Sequence, residues 1–242
     1  IHVKGFFFDL GGTLYSYRNV PRATAPLLIE AAERLGLTAD FEDIKHAYNQ
    51  AASDMTAAYA AKSYYLHRDF FRDTFMRFAE LVGGKPDDSV HAWYHDAHRT
   101  AIIDCLVLKE DCTATLSHLK DQGYYLSIVS NIDDDMLQPL VARAGLDEFF
   151  DHWMSSEAAQ SCKPNRRFFE AALEKSGLDP DSVLFVGDSP EHDVAGAKAA
   201  GMNAALIIDG GMEPPLQTGR DTVAPDYTIH NLIELKELLP RR

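Results

Sequence analysis

Asp9 follows an apolar run, Val3–Leu10 (VKGFFFDL), and precedes a glycine pair in F-D-L-G-G-T-L. A carboxylate in that setting is a candidate nucleophile. Gly11 and Gly12 let the chain turn sharply and approach a ligand closely, so Gly12 is a candidate phosphate contact. Ser130 and Asn131 stand in V-S-N, Lys163 in C-K-P-N, and Asp188 and Asp193 in G-D-S-P-E-H-D. Two or three carboxylates brought together repel one another unless a cation neutralises them. A hard divalent cation with oxygen ligands does this, and Mg2+ typically keeps several waters beside one or two carboxylates. Lys163 adds a point positive charge, and Ser130 a hydroxyl donor beside Asn131. A carboxylate nucleophile, a metal, a cation and a hydroxyl suit phosphoryl transfer, where catalysis is mainly positioning and charge stabilisation.

These residues can meet only if the chain carries them to one place. The runs Val3–Leu10, Tyr124–Val129, Ser182–Val186 and Asn203–Ile208 read as buried strands. Helical stretches at Lys109–Gln122, Asn165–Ser176 and Glu191–Ala200 precede the last three, closed by Gly123, Gly177 and Gly201. Strand and helix alternating in this way predict an α/β fold, a doubly wound parallel sheet with helices on both faces. Ligands bind at the carboxyl ends of such strands, where Asp9, Ser130 with Asn131, and Asp188 fall. Lys163 should reach the same edge from a loop or a helix start. Between Tyr17 and Cys105 there is no strand-like run but four helical patterns, Arg22–Leu35, Asp40–Ala61, Leu66–Val82 and Asp88–Ile102. They predict an all-helical insert over 17–105 within a core made of 1–16 and 106–242. Gly210–Pro225 reads as a loop, Tyr227–Ile229 as a short strand and Leu232–Leu239 as a last helix.

Composition narrows the partners. The chain of 242 residues carries 37 acidic and 23 basic side chains, a formal charge of −14. That sign disfavours nucleic acid and anionic membrane, and makes a local positive centre necessary if the substrate is an anion. Cys105, Cys112 and Cys162 are odd in number and form no C-x-x-C, as expected of thiols in a reducing cytosol. Neither a signal-peptide pattern nor an apolar run of about 18 residues is present, so a soluble cytoplasmic protein is expected.

F-D-L-G-G-T-L, V-S-N, C-K-P and G-D-S-x-x-x-D-x-x-G-A occur in that order, and together they resemble the four motifs of the haloacid dehalogenase-like superfamily. Each motif alone is weak; four in this order, over most of the chain outside the insert, are highly specific. The resemblance implies a Rossmann-like core with a helical, C1-type cap inserted after the first motif. It implies Mg2+-dependent hydrolysis of a small phosphorylated metabolite through an aspartyl-phosphate on Asp9. Ser130 would hold the phosphoryl oxygens, and Lys163 would neutralise charge and orient Asp9. Asp188 would bind the metal with Asp9 and the carbonyl oxygen of Gly11, and Asp193 would support the metal from behind these ligands.

Gly11 departs from the pattern. The family's phosphatases carry there a second Asp that protonates the leaving group, a contribution of roughly 10²–10⁴-fold. The dehalogenases carry an aromatic residue and discard the metal site, whereas this chain keeps Asp188 and Asp193. The phosphonate hydrolases carry a small residue and use a cap lysine, for which Lys62 is one of few choices. Hydrolysis of a carbon–phosphorus or carbon–halogen bond therefore stays open, as does a catalytically impaired relative that binds a phosphorylated ligand or a protein. His192 or a cap residue could supply the acid, and Gly11→Asp could restore one if the backbone tolerates a side chain. His91, His95 and His98 share one helical face and could hold a transition metal. A packed or solvated face is the stronger expectation, since no fourth ligand is evident.

Overall fold

The computed structural model describes residues 2–208 and 214–238. The chain divides into two compact units, residues 1–17 with 107–242, and residues 18–106.

In the first unit the strands are β1 (Gly5–Phe8), β2 (Tyr15–Ser16), β3 (Val107–Leu108), β4 (Tyr125–Ser130), β5 (His152–Ser155), β6 (Val183–Gly187), β7 (Asn203–Ile207) and β8 (Tyr227–Ile229). Among the described residues, six of them form one parallel sheet in the order β5-β4-β1-β6-β7-β8. Renumbered without the β2–β3 ribbon, this is the order 3-2-1-4-5-6 of doubly wound dinucleotide folds, whose ligands sit where the order reverses. That point lies at β1, where Phe8 is level with Ile128 of β4 and Val186 of β6. Asp9, Ser130 and Asp188 therefore leave the sheet at one edge. β2 and β3 pair antiparallel, Tyr15 with Leu108, at the points where the chain leaves and re-enters this unit.

β1 is wholly buried because a central parallel strand is covered on both faces. Phe7 faces a cluster with Phe168, Phe169, Phe185 and Val194. Phe6 and Phe8 face the other way, edge-on to Tyr124 and Phe150 at 5.2 and 6.0 Å. The helices are α5 (Cys112–Asp121), α6 (Asp134–Arg143), α7 (Ser156–Ala159), α8 (Arg166–Ser176) and α9 (Ala195–Ala199). The side chain of Asn165 caps α8 by accepting from Arg167 N at 3.0 Å, which places Lys163 just before a helix start.

Three features differ from the sequence reading. β5 and α6 were not anticipated; β5 is an edge strand, half-buried at three of its four positions, so it presents no apolar run. The stretch Glu191–Ala200 is not one helix but a wide π turn, Pro190–Val194, followed by α9. In that turn Val194 N–H reaches Ser189 O, five residues back, at 3.1 Å. The last described element is a 3-10 helix, Leu232–Lys236, started by a reciprocal Asn231–Glu234 cap; position 239 of the expected helix lies outside the described residues. The expected loop is irregular over 214–225, and its positions 210–213 also lie outside them.

The second unit holds α1 (Val20–Arg34), α2 (Phe41–Tyr59), α3 (His67–Leu81) and α4 (Asp88–Cys105). Leu28, Ala31, Ile44, Phe75, Phe78 and Tyr94 form its core. Asp40 and Asp87 cap α2 and α4 by accepting from Glu42 N and from Ser89 and Val90 N at 2.9–3.0 Å. His98 is buried between Phe71 and Tyr94, at ring distances of 4.9 and 5.6 Å. No described helix is long and apolar enough to cross a membrane.

Candidate active site

Asp9 begins where β1 ends, and its N–H still donates to Val186 O of the neighbouring strand at 2.9 Å. The residue is 7% exposed. Asp9 Oδ1 accepts from Lys163 Nζ at 2.7 Å and from Ser130 Oγ at 2.8 Å. Both bonds go to one oxygen, Oδ1, and neither to Oδ2.

Lys163 is 4% exposed and also donates to Asp193 Oδ1 at 2.6 Å. Burial disfavours its ammonium, but Asp193 and then Asp9 outweigh that and hold its pKa above the ordinary lysine value. The peptide bond from Lys163 to Pro164 is cis. The side chain of Asn131, a sequence candidate for phosphate contact, bonds the Lys163 backbone. Its Oδ1 accepts from Lys163 N at 2.7 Å and its Nδ2 donates to Lys163 O at 3.0 Å. Both ends of its amide clamp the Lys163 backbone, because a strand-free segment this close to the sheet edge must find its partners in side chains.

Gly12 adopts φ 75°, the left-handed region that glycine reaches most cheaply. Its N–H donates to Tyr15 O at 2.7 Å. What its missing side chain admits is Asp188, whose Cγ would lie 2.6 Å from a Cβ there. Gly187 likewise lets Asp193 fold back, with Cβ 2.5 Å from where a second Cβ would stand. Asp193 Oδ2 accepts from Ser189 N at 2.9 Å, so both oxygens of Asp193 are bonded within the site.

Among the described residues, one group of acidic or imidazole side chains could hold a metal: Asp9, Asp188 and Asp193, whose oxygens lie within 4.8 Å of one another. Burial, then Asp9 and Asp193, push the pKa of Asp188 well up. Burial pushes Asp193 up to about 6 despite Lys163, with Asp9 adding to the rise. Three carboxylates face one ammonium, and this surplus of negative charge in an all-oxygen site fits a hard divalent cation such as Mg2+. The His91, His95 and His98 face is not such a group. His98 is packed among aromatic rings, while His95 Nδ1 lies 3.2 Å from Asp96 Oδ1.

Two groups at the site were missed from sequence. Tyr17, which the sequence reading groups with the insert, packs on the glycine pair; its Cζ lies 2.7 Å from where a Cβ on Gly11 would stand, and its hydroxyl closer still. Gly11 itself is not in the left-handed region. Space, not backbone conformation, is therefore what a side chain at position 11 would lack. Glu191, 4% exposed, anchors the 218–220 segment by accepting from Thr218 N at 2.8 Å and Gly219 N at 2.6 Å. No local pattern marks Tyr17, and Glu191, although it lies inside G-D-S-P-E-H-D, shows its role only through contacts with chain 27 residues further on. His192 is half-buried, and burial first, then Lys163, lowers its pKa to about 4.

The haloacid dehalogenase-like hydrolase family model matches residues 3–201. Over 238 residues the chain is 34% identical to the glyceraldehyde 3-phosphate phosphatase of Methanothermobacter thermautotrophicus, covering 98% of this chain and 100% of that one. Over 240 residues it is 28% identical to the ribulose-1,5-bisphosphate 5-phosphatase of Halopiger xanaduensis, covering 96% and 97%. Its fold is similar to that of the HAD-hydrolase YfnB of Bacillus subtilis, with a TM-score of 0.76, 21% identity, and 98% and 99% of the chains covered. With its motifs at the switch point of the sheet and the family model spanning most of its length, this chain belongs to the haloacid dehalogenase-like hydrolases.

Proposed function

We propose that the protein is a Mg2+-dependent phosphomonoesterase for a small phosphorylated sugar, working through an aspartyl-phosphate on Asp9. The carrying observation is the asymmetric solvation of Asp9: Lys163 and Ser130 both hold Oδ1, and Oδ2 is left to attack. The names of the two relatives support a phosphorylated sugar as the substrate class.

Asp9 Oδ2 forms a bond to phosphorus while the bond from phosphorus to the sugar oxygen breaks and its electron pair stays on that oxygen. Water then attacks the phosphorus of the aspartyl-phosphate, returning the Asp9 carboxylate and releasing inorganic phosphate. Lys163 offsets negative charge that builds on the phosphoryl group, and Ser130 can swing its hydroxyl from Asp9 to a phosphoryl oxygen. Asn131 keeps Lys163 in register, and Asp193 holds the Lys163 ammonium. Asp9, Asp188 and the Gly11 carbonyl would hold Mg2+, with Asp193 behind them. The bound ion would supply positive charge to the phosphoryl oxygens and let neighbouring carboxylates stay ionised. The intact carboxylate cluster favours a phosphate ester over a carbon–halogen bond. The helical unit, residues 18–106, is proposed to select the sugar, and the cytosol is the proposed location.

Hydrolysis of 4-nitrophenyl phosphate and of sugar monophosphates, with Mg2+ and with excess chelator, tests this. Activity should need the ion and vanish in Asp9→Asn. Turnover that survives both changes would refute it.

A further inference from the structure

Attack by Asp9 Oδ2 sends the departing oxygen to the side of phosphorus away from Asp9. A sugar alkoxide is a poor leaving group, and a polar hydrogen placed where its charge develops lowers the barrier. The donors that touch Asp9 lie on the nucleophile's side: the ammonium of Lys163 bonds Asp9 and Asp193, and the hydroxyl of Ser130 bonds Asp9 or serves the phosphoryl oxygens. Position 11 offers nothing, being glycine. Its space is nonetheless filled, because the Tyr17 phenol overlaps the place a side chain would take and its Cε2 lies 3.0 Å from a Cβ position on Gly12.

We propose that Tyr17 is a specificity-determining residue of this site: its phenol replaces a side chain at position 11 and its hydroxyl donates a hydrogen bond to the leaving-group oxygen. The inference rests on the phosphatase reading above. A phenol ordinarily loses its proton only at about pH 10, so Tyr17 serves here as a neutral donor. It keeps its proton; the departing oxygen, holding the electron pair of the broken bond, takes a proton from water. A neutral donor suits this position, since it needs no counter-charge beside the three carboxylates. Gly11 and Tyr17 are a matched pair in this account, and Gly11→Asp alone collides with the phenol instead of restoring an acid.

The test compares methyl, phenyl and 4-nitrophenyl phosphate in the unmodified protein and in Tyr17→Phe, which keeps the ring. Loss of the hydroxyl should cut methyl phosphate turnover by about 10²-fold and 4-nitrophenyl phosphate turnover by less, steepening the dependence of rate on leaving-group pKa. An equal loss on all three esters, or none, overturns the proposal. If the unmodified protein hydrolyses none of them with Mg2+, the phosphatase reading fails first and the leaving-group role falls with it. The pairing is read separately by melting temperature in Gly11→Ala, Tyr17→Ala and the double variant. Gly11→Ala should destabilise the unmodified background and cost clearly less beside Tyr17→Ala. Additive losses would show that the phenol does not occupy that space.

Discussion

Lys163 in the core unit and His98 in the helical unit are buried to nearly the same degree, 4% and 7% exposed, yet burial has opposite outcomes. Lys163 lies between Asp193 and Asp9 and is held more basic than an ordinary lysine, despite its loss of water. His98 lies between Phe71 and Tyr94; burial first, then His95, lowers its pKa from 6.5 to about 4. A buried base without a counter-charge becomes a neutral packing group, whereas one between carboxylates becomes a permanent charge. Sustaining that charge in the interior requires two ionised partners of fixed geometry, an arrangement that contributes little net stability. Its presence at the sheet edge, and its absence from the histidine face, is the physical difference between the two buried bases.

The comparison breaks most visibly at Lys163. Lys163→Met should lower kcat by about 10³-fold and stability by about 3–5 kcal/mol, because Asp9 and Asp193 would be left buried without their partner. Steady-state kinetics and urea unfolding on one preparation measure both. Stability unchanged or raised would mean the ion pair is not the buried, fully formed one described.

Asn131→Ala sharpens the same point one step further out. The lysine remains, but its backbone loses both clamping bonds, so kcat should fall by about 10-fold through misplacement, with KM nearly unchanged. Asn131→Asp, which keeps the acceptor for Lys163 N–H, should recover part of the loss. If KM rises while kcat holds, Asn131 contacts the substrate as the sequence suggested.

His98→Phe has the smallest expected effect: no change in kcat or Mg2+ requirement, and a changed pH dependence of stability. His98 is less basic folded than unfolded, so its stabilising contribution is complete above the unfolded value of 6.5 and is lost as pH falls toward about 4. Between about pH 7 and pH 5 that amounts to about 2 kcal/mol, which Phe would abolish. Urea unfolding of both proteins at the two pH values decides it. An identical slope would mean His98 is solvated, and the histidine face would return as a candidate site.

The core strands were legible because a central parallel strand must be apolar on both faces, as G-F-F-F is, and because glycines punctuate the helices that follow. The four insert helices were legible from their apolar period, though α4 continues to Cys105, beyond the expected Ile102. β5 was not, because an edge strand needs only one dry face. The turn after Asp188 was read as plain helix. It is widened, with Asp193 held by Ser189 N and Lys163, and no local periodicity encodes a hydrogen bond to a lysine 30 residues upstream.

The residue types and their order alone pointed to the reaction class: Asp9, Ser130 and Asp188 fall at the ends of strands that meet in a parallel sheet, with Lys163 just before α8 and Asp193 in the turn after β6. Only the tertiary structure decided how those residues divide the work. It bonded Asn131 to the Lys163 backbone and the Gly12 amide to Tyr15 O, and put both oxygens of Asp193 to use. It also brought Tyr17 over Gly11. Each of these depends on which donors and acceptors lie within about 3 Å after folding, a matter of register between strands and loops that the order of residues along the chain does not specify.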